Sequence, residues 1–194
     1  MTVQVPFYRF LSLSLFFCPL FHSLFSSDWT RFRGPNGSGR SVGMELPKEW
    51  TREDYRWIIE LPGVGHSSPV IWKNKVFTTT SNEKNGDQYV QCNDVANGSV
   101  IWKKKFQSEH YPHHKFNSFA SATPCVDKDL LITSWTTKES NDLLCLGHDG
   151  TLKWRRDFGN FLTQHGNGFS PILHQDKVIV TNDHEGDSAL LALD

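Results

Sequence analysis

Asp149-Gly150-Thr151-Leu152-Lys153-Trp154-Arg155-Arg156 decides the fold, because a glycine turn leads there straight into a short strand centred on tryptophan. The same arrangement occurs at Asn97-Gly98-Ser99-Val100-Ile101-Trp102-Lys103-Lys104, and a third tryptophan run stands at Arg56-Trp57-Ile58-Ile59. Trp57, Trp102 and Trp154 recur at a spacing of about 50 residues, which marks an array of like units. Asn-Gly and Asp-Gly between apolar runs are strong hairpin signals, and they predict a tight turn with positive φ at both residues.

Each tryptophan is followed downstream by Ser or Thr, then Pro, then an apolar run: Ser68-Pro69-Val70-Ile71, Thr123-Pro124-Cys125-Val126 and Ser170-Pro171-Ile172-Leu173. A polar turn and a second apolar run follow, as in Trp72-Lys73-Asn74-Lys75 before Val76-Phe77-Thr78-Thr79-Thr80. With a third run before each Asn-Gly or Asp-Gly, the unit has four antiparallel strands, the anatomy of a propeller blade. One twisted sheet cannot bury both faces, so each unit must pack against its neighbour. The tryptophan at a fixed place in every unit is expected to fill the space between adjacent sheets. Trp57, Trp102, Trp154, Pro69, Pro124, Pro171, Gly98 and Gly150 are thus the structural repeat residues.

Composition agrees with an all-β chain. Seven Trp, fourteen Phe and fourteen Gly stand against only two Met, and aromatics suit pleated surfaces while glycine suits tight turns. Twenty Lys plus Arg against 21 Asp plus Glu give a net charge of -1, which supplies no overall field for nucleic acid. Residues 1–27 resemble a signal peptide, with Arg9 ahead of an apolar run from Phe10 to Phe25 that is too short and too interrupted by Pro19 and His22 for a permanent span. Their removal leaves no expected integral membrane segment. Cys92, Cys125 and Cys145 remain, an odd number without CxxC spacing, so at least one thiol is expected to be free. Cys92 and Cys145 fall where the third unit has Ala192, a slot for a small apolar side chain.

These residues resemble the PQQ-like, or quinoprotein-type, β-propeller repeat proteins of bacterial cell envelopes. The motif that carries the resemblance is a third strand such as Leu190-Leu191-Ala192-Leu193-Asp194, a Gly turn and a Trp strand. The stretch Trp29-Thr30-Arg31-Phe32-Arg33-Gly34-Pro35-Asn36-Gly37-Ser38-Gly39 is similar to the leader of secreted members. The organisation expected is a signal peptide over 1–27, a leader over 28–55 and an incomplete propeller over 56–194. It should hold about two full four-stranded blades with partial blades at each end. Closed members of the family need about seven or eight such blades, so the resemblance implies a fragment or truncated gene product.

The resemblance leaves two functions open. One is a non-enzymatic periplasmic or extracellular scaffold that binds other envelope proteins, or the missing blades. The other is part of a PQQ-dependent dehydrogenase that needs PQQ and calcium. Dehydrogenases of this type carry adjacent cysteines, and this sequence has none. No nucleophile and base pair or phosphate loop can be named either, so the residues favour the non-enzymatic role and no cofactor. Several of the nine histidines fall in equivalent connectors between a Trp strand and the next Pro strand: His66, then His110, His113 and His114, then His165. Such connectors share one rim, which makes His66, His114 and His165 candidate ligands for a metal or an anion. The alternative is loop histidines bonded to nearby carbonyls. Lys103-Lys104-Lys105 and Arg155-Arg156 are read as solvated charges that discourage strand pairing at an outer edge.

Overall fold

The structure, a computed structural model, describes residues 28–41 and 47–194. The signal-peptide expectation falls on residues outside that range. Among the described residues eleven strands form three antiparallel sheets. The first holds β1 (Val70–Trp72), β2 (Lys75–Ser81), β3 (Gln88–Asp94) and β4 (Val100–Phe106) in the order β1-β2-β3-β4. The second repeats it with β5 (Cys125–Val126), β6 (Leu130–Thr136), β7 (Asn141–Gly147) and β8 (Leu152–Asp157). The third has β9 (Ile172–His174), β10 (Lys177–Asn182) and β11 (Ala189–Leu193). Chain order equals strand order, so every connection within a sheet is a hairpin. The architecture is all-β and consists of partial propeller blades, as the repeat implies. Among the described residues no helix is long and apolar enough to cross a membrane.

Alternation along the strands builds two cores. Phe77, Val90 and Cys92 of the first blade meet Leu131, Trp135, Leu144 and Leu146 of the second. Cys125, Ile132, Leu143 and Cys145, on the opposite face of the second blade, meet Val178 and Val180 of the third. The second blade is therefore apolar on both faces, and its β7 is buried along its whole length. Cys92, Cys125 and Cys145 are all free and buried. Burial pushes the Cys92 and Cys145 thiols up to about 11 and Cys125 in the same direction, because a thiolate loses hydration in an apolar core.

The two complete blades share a detail of register. Cys92 pairs with Trp102 and Cys145 with Trp154, and a bulge follows each cysteine. The turns differ from the expected two-residue form. β3 and β4 are joined through Val95–Ser99, and of Asn97 and Gly98 only Gly98 has positive φ, at 74°. The side chain of Asp94 explains the change, since its Oδ1 accepts the Ala96 and Asn97 N–H groups and shapes a longer loop. In the second blade Asp149 Oδ1 likewise accepts the Thr151 N–H, and Gly150 sits at φ 80°.

Gly98 and Gly150 are also docking points. Trp57 lies on Gly98, where an added Cβ would stand 2.7 Å from its ring, and its Nε1 donates to the Val95 carbonyl at 2.9 Å. Trp102 lies on Gly150 with the corresponding distance 2.9 Å, and its Nε1 donates to the His148 carbonyl at 2.8 Å. Each of these indoles thus reaches the turn of the following unit. The Arg56–Ile59 run itself joins no ladder, contrary to the expected strand, because no strand among the described residues lies beside it.

Two further connections run between units. The Ser68 N–H donates to Thr123 Oγ1 at 2.9 Å, and the Thr123 N–H donates to Ser170 Oγ at 3.0 Å. The hydroxyls before the second and third Pro strands therefore each receive a backbone N–H of the preceding unit. The leader also takes part. Trp29 exchanges both backbone bonds with Ile71, the Val126 N–H donates to the Thr30 carbonyl at 2.9 Å, and Asp28 accepts the Lys73 N–H. A short piece of leader thus lies across the inner strands of two blades.

Candidate functional site on the connector rim

Each fourth strand leaves its sheet at the same end, so the connectors after β4 and β8 and the segment before β1 share a rim. Two of the three predicted histidines meet there. The His114 and His165 rings stand 5.4 Å apart, centroid to centroid. Asn117 holds the pair, since its Nδ2 donates to the His165 carbonyl while its Oδ1 accepts from the Ser118 N–H and from Ser121 Oγ. Gly166 makes the approach possible, because a Cβ there would lie 3.0 Å from Asn117 Nδ2 and 3.3 Å from His113 Cβ.

His66 is placed apart from that pair. Its N–H and that of Ser67 both donate to the Ala120 carbonyl at 3.1 Å. Its side chain borders a cavity of about 430 Å³ shared with Asn117, Ser121, Thr123 and Ser170. The cavity wall mixes these polar groups with the apolar Phe32 and Ile172, and Asn117 is the residue common to it and to the imidazole pair. Among the described residues no group of three His, Cys, Asp or Glu side chains is placed to hold a metal ion. The buried, non-adjacent thiols of Cys92, Cys125 and Cys145 do not fit the cysteine pair of a PQQ site.

The rim is anchored by a residue that the sequence reading did not single out. Tyr111 is buried, its hydroxyl is 2.9 Å from Thr136 Oγ1, and burial raises its pKa. Its ring packs edge-on to buried Phe119 at 4.9 Å, and His113 packs on the same Phe119 at 4.3 Å. His113 Nε2 lies 3.5 Å from Glu83, so the connector is also tied to the first blade. An aromatic and histidine-rich segment around Tyr111 was the available signal, yet spacing does not say which ring turns inward. Phe116, by contrast, is 78% exposed beneath the Lys115 ammonium at 5.0 Å. Leu162 on the next connector is exposed as well.

Stacked four-stranded blades with indoles seated on the turns of the following unit define a β-propeller repeat domain. The family model described as "Outer membrane protein assembly factor BamB" (PQQ_2) matches residues 86–194, more than half of the chain, and the chain belongs to that family. Among 24 matching solved chains is a europium-containing methanol dehydrogenase. It aligns at a TM-score of 0.44 and 11% identity over 60% of this chain and 20% of its own, so the present chain spans about a fifth of that enzyme. Comparison with curated protein sequences gives no significant match.

Proposed function

We propose that the chain is a non-enzymatic, protein-binding module of the cell envelope, periplasmic or extracellular, whose partner docks on the connector rim. The observation that carries this is the exposed Phe116 set on a rigid base. The ring is solvent-facing while its connector is anchored by Tyr111, Phe119 and the Asn117 network. A preorganised aromatic at the centre of a polar rim has the character of an interface hot spot, since little entropy remains to be lost on binding. Family membership supports the same direction, because the family description is that of an assembly factor.

The test is a photo-crosslinking residue placed at Phe116, with a control at exposed Lys128 in the β5–β6 turn at the opposite end. In the native host, a defined envelope protein should be trapped at Phe116 and not at Lys128. Leu162→Ala should weaken the same adduct. Equal trapping at both positions, or none at Phe116, would overturn the reading.

A further inference from the structure

We propose that the outer edges of the first two blades form a docking surface for an anionic phospholipid bilayer. The proposal stands on residues away from the connector rim. β4 exposes Val100 and Ile101 at 55% and 45%, and β8 exposes Leu152 at 46%. Val100 and Leu152 each precede the strand's tryptophan by two positions, so the two outer strands present apolar side chains at matching places. Lys103 and Lys104 follow Trp102 as Arg155 and Arg156 follow Trp154.

Charge on these edges is segregated although the whole chain is nearly neutral. Lys105 is paired to Asp87 at 2.6 Å and Arg155 to Asp142 at 2.5 Å. Lys103, Lys104, Lys153 and Arg156 make no ion pair among the described residues. The carboxylates of the adjoining turns are occupied locally: Asp94 accepts turn N–H groups, and Asp149 accepts both the N–H and the hydroxyl of Thr151. Three cations without an ion-pair partner, Lys103, Lys104 and Arg156, therefore share these edges with the exposed aliphatic side chains, while Lys153 lies beside Asp149.

That combination selects the partner's chemistry. Phosphate groups satisfy the cations, and the acyl boundary accepts Val100, Ile101 and Leu152 while Lys and Arg stems reach back to the headgroups. A polyanion without hydrocarbon would leave the aliphatic row wet. Another protein strand pairing with β4 or β8 would place its backbone beside these cations, which oppose such pairing.

Full-length protein is sedimented with phosphatidylcholine vesicles with and without phosphatidylglycerol. Residues 10–25 are themselves apolar, so the quantity read is the difference between parent and variant. The parent should bind more strongly when phosphatidylglycerol is present, and the difference should shrink as salt is added. Lys103→Gln with Lys104→Gln should lower partitioning about 20- to 30-fold, since each surface cation contributes roughly fivefold. Ile101→Ser should weaken binding while keeping its salt dependence. The substituted side chains are exposed, and an unchanged urea midpoint verifies the fold. Equal partitioning of parent and lysine variant overturns the proposal. So does undiminished affinity for phosphatidylglycerol vesicles in Ile101→Ser together with Val100→Ser, which would mark a purely electrostatic anion surface.

Discussion

Replacing Gly150 by alanine tests whether the seating of an indole on the following turn holds the blades together. Two effects combine at this residue. Its φ of 80° costs an L side chain about 1–2 kcal/mol, partly offset by a gain of about 0.4–1 kcal/mol from a stiffer unfolded chain. The new Cβ would also stand 2.9 Å from Trp102 Cδ2 and 3.0 Å from Cε3, so the indole must retreat. Retreat breaks its 2.8 Å bond to the His148 carbonyl, worth about 0.5–1.5 kcal/mol, and loosens its packing on the first core. These terms sum to a loss of about 0.5–3 kcal/mol, with the loosened packing in addition, which is large beside a typical domain stability of about 5–15 kcal/mol. Gly159 is the internal control, with φ 89° and nothing within 4 Å of an added Cβ, so Gly159→Ala should cost only the backbone part. Urea unfolding followed by tryptophan fluorescence measures both. In a Trp102→Ala background the cost of Gly150→Ala should fall to that of Gly159→Ala. Equal costs for the two glycines in the parent chain would refute the reasoning.

Thr123→Val keeps the shape of the side chain but removes the acceptor of the Ser68 N–H, and should cost about 1–2 kcal/mol with faster exchange of the Ser68 amide, while Thr123→Ser should stay near the parent. The Lys105 hydrogen bond holds the Asp87 carboxyl below its ordinary range. A depressed folded pKa stabilises the chain above the unfolded value of about 3.9 and loses that stabilisation as pH falls through the folded one. Lys105→Met should therefore flatten the acid limb of Tm against pH. The alkaline limb should flatten too, because Asp87 raises the Lys105 pKa and that stabilisation is lost as pH rises through it. Cys92, Cys125 and Cys145 should resist iodoacetamide at neutral pH and react once denatured, read by peptide mass spectrometry; rapid native alkylation would contradict their burial.

The blade architecture was legible because three independent periodicities, in tryptophan, in the turn glycine and in the Ser/Thr-Pro pair, share one spacing. Their physical roles were legible unevenly. Packing of Trp102 on Gly150 follows from shape, since an indole lies flat against a residue that has no Cβ. The hydroxyl relay through Thr123 joins groups far apart in sequence, and no local pattern encodes it. The Arg56–Ile59 run carries strand-like residues but has no neighbouring strand among the described residues, and propensity without a ladder does not make a strand. At the rim, equivalent connectors did bring His114 and His165 together, while His66 stands across Asn117 and Ser121. Connector length decides that difference, because the long segment from Gln107 to Thr123 folds on itself around Phe119.

The contact of Thr30 with Val126 also bears on how the protein is made. A ribosome delivers Trp29 and Thr30 early, yet the strand that receives Thr30 emerges roughly 100 residues later, a long loop to close. Until then, among the described residues, Ile71 and Lys73 hold the leader by hydrogen bonds. The Thr30 bond can therefore close only after the inner strand of the second blade has emerged, and it ties the beginning of the described chain to that blade.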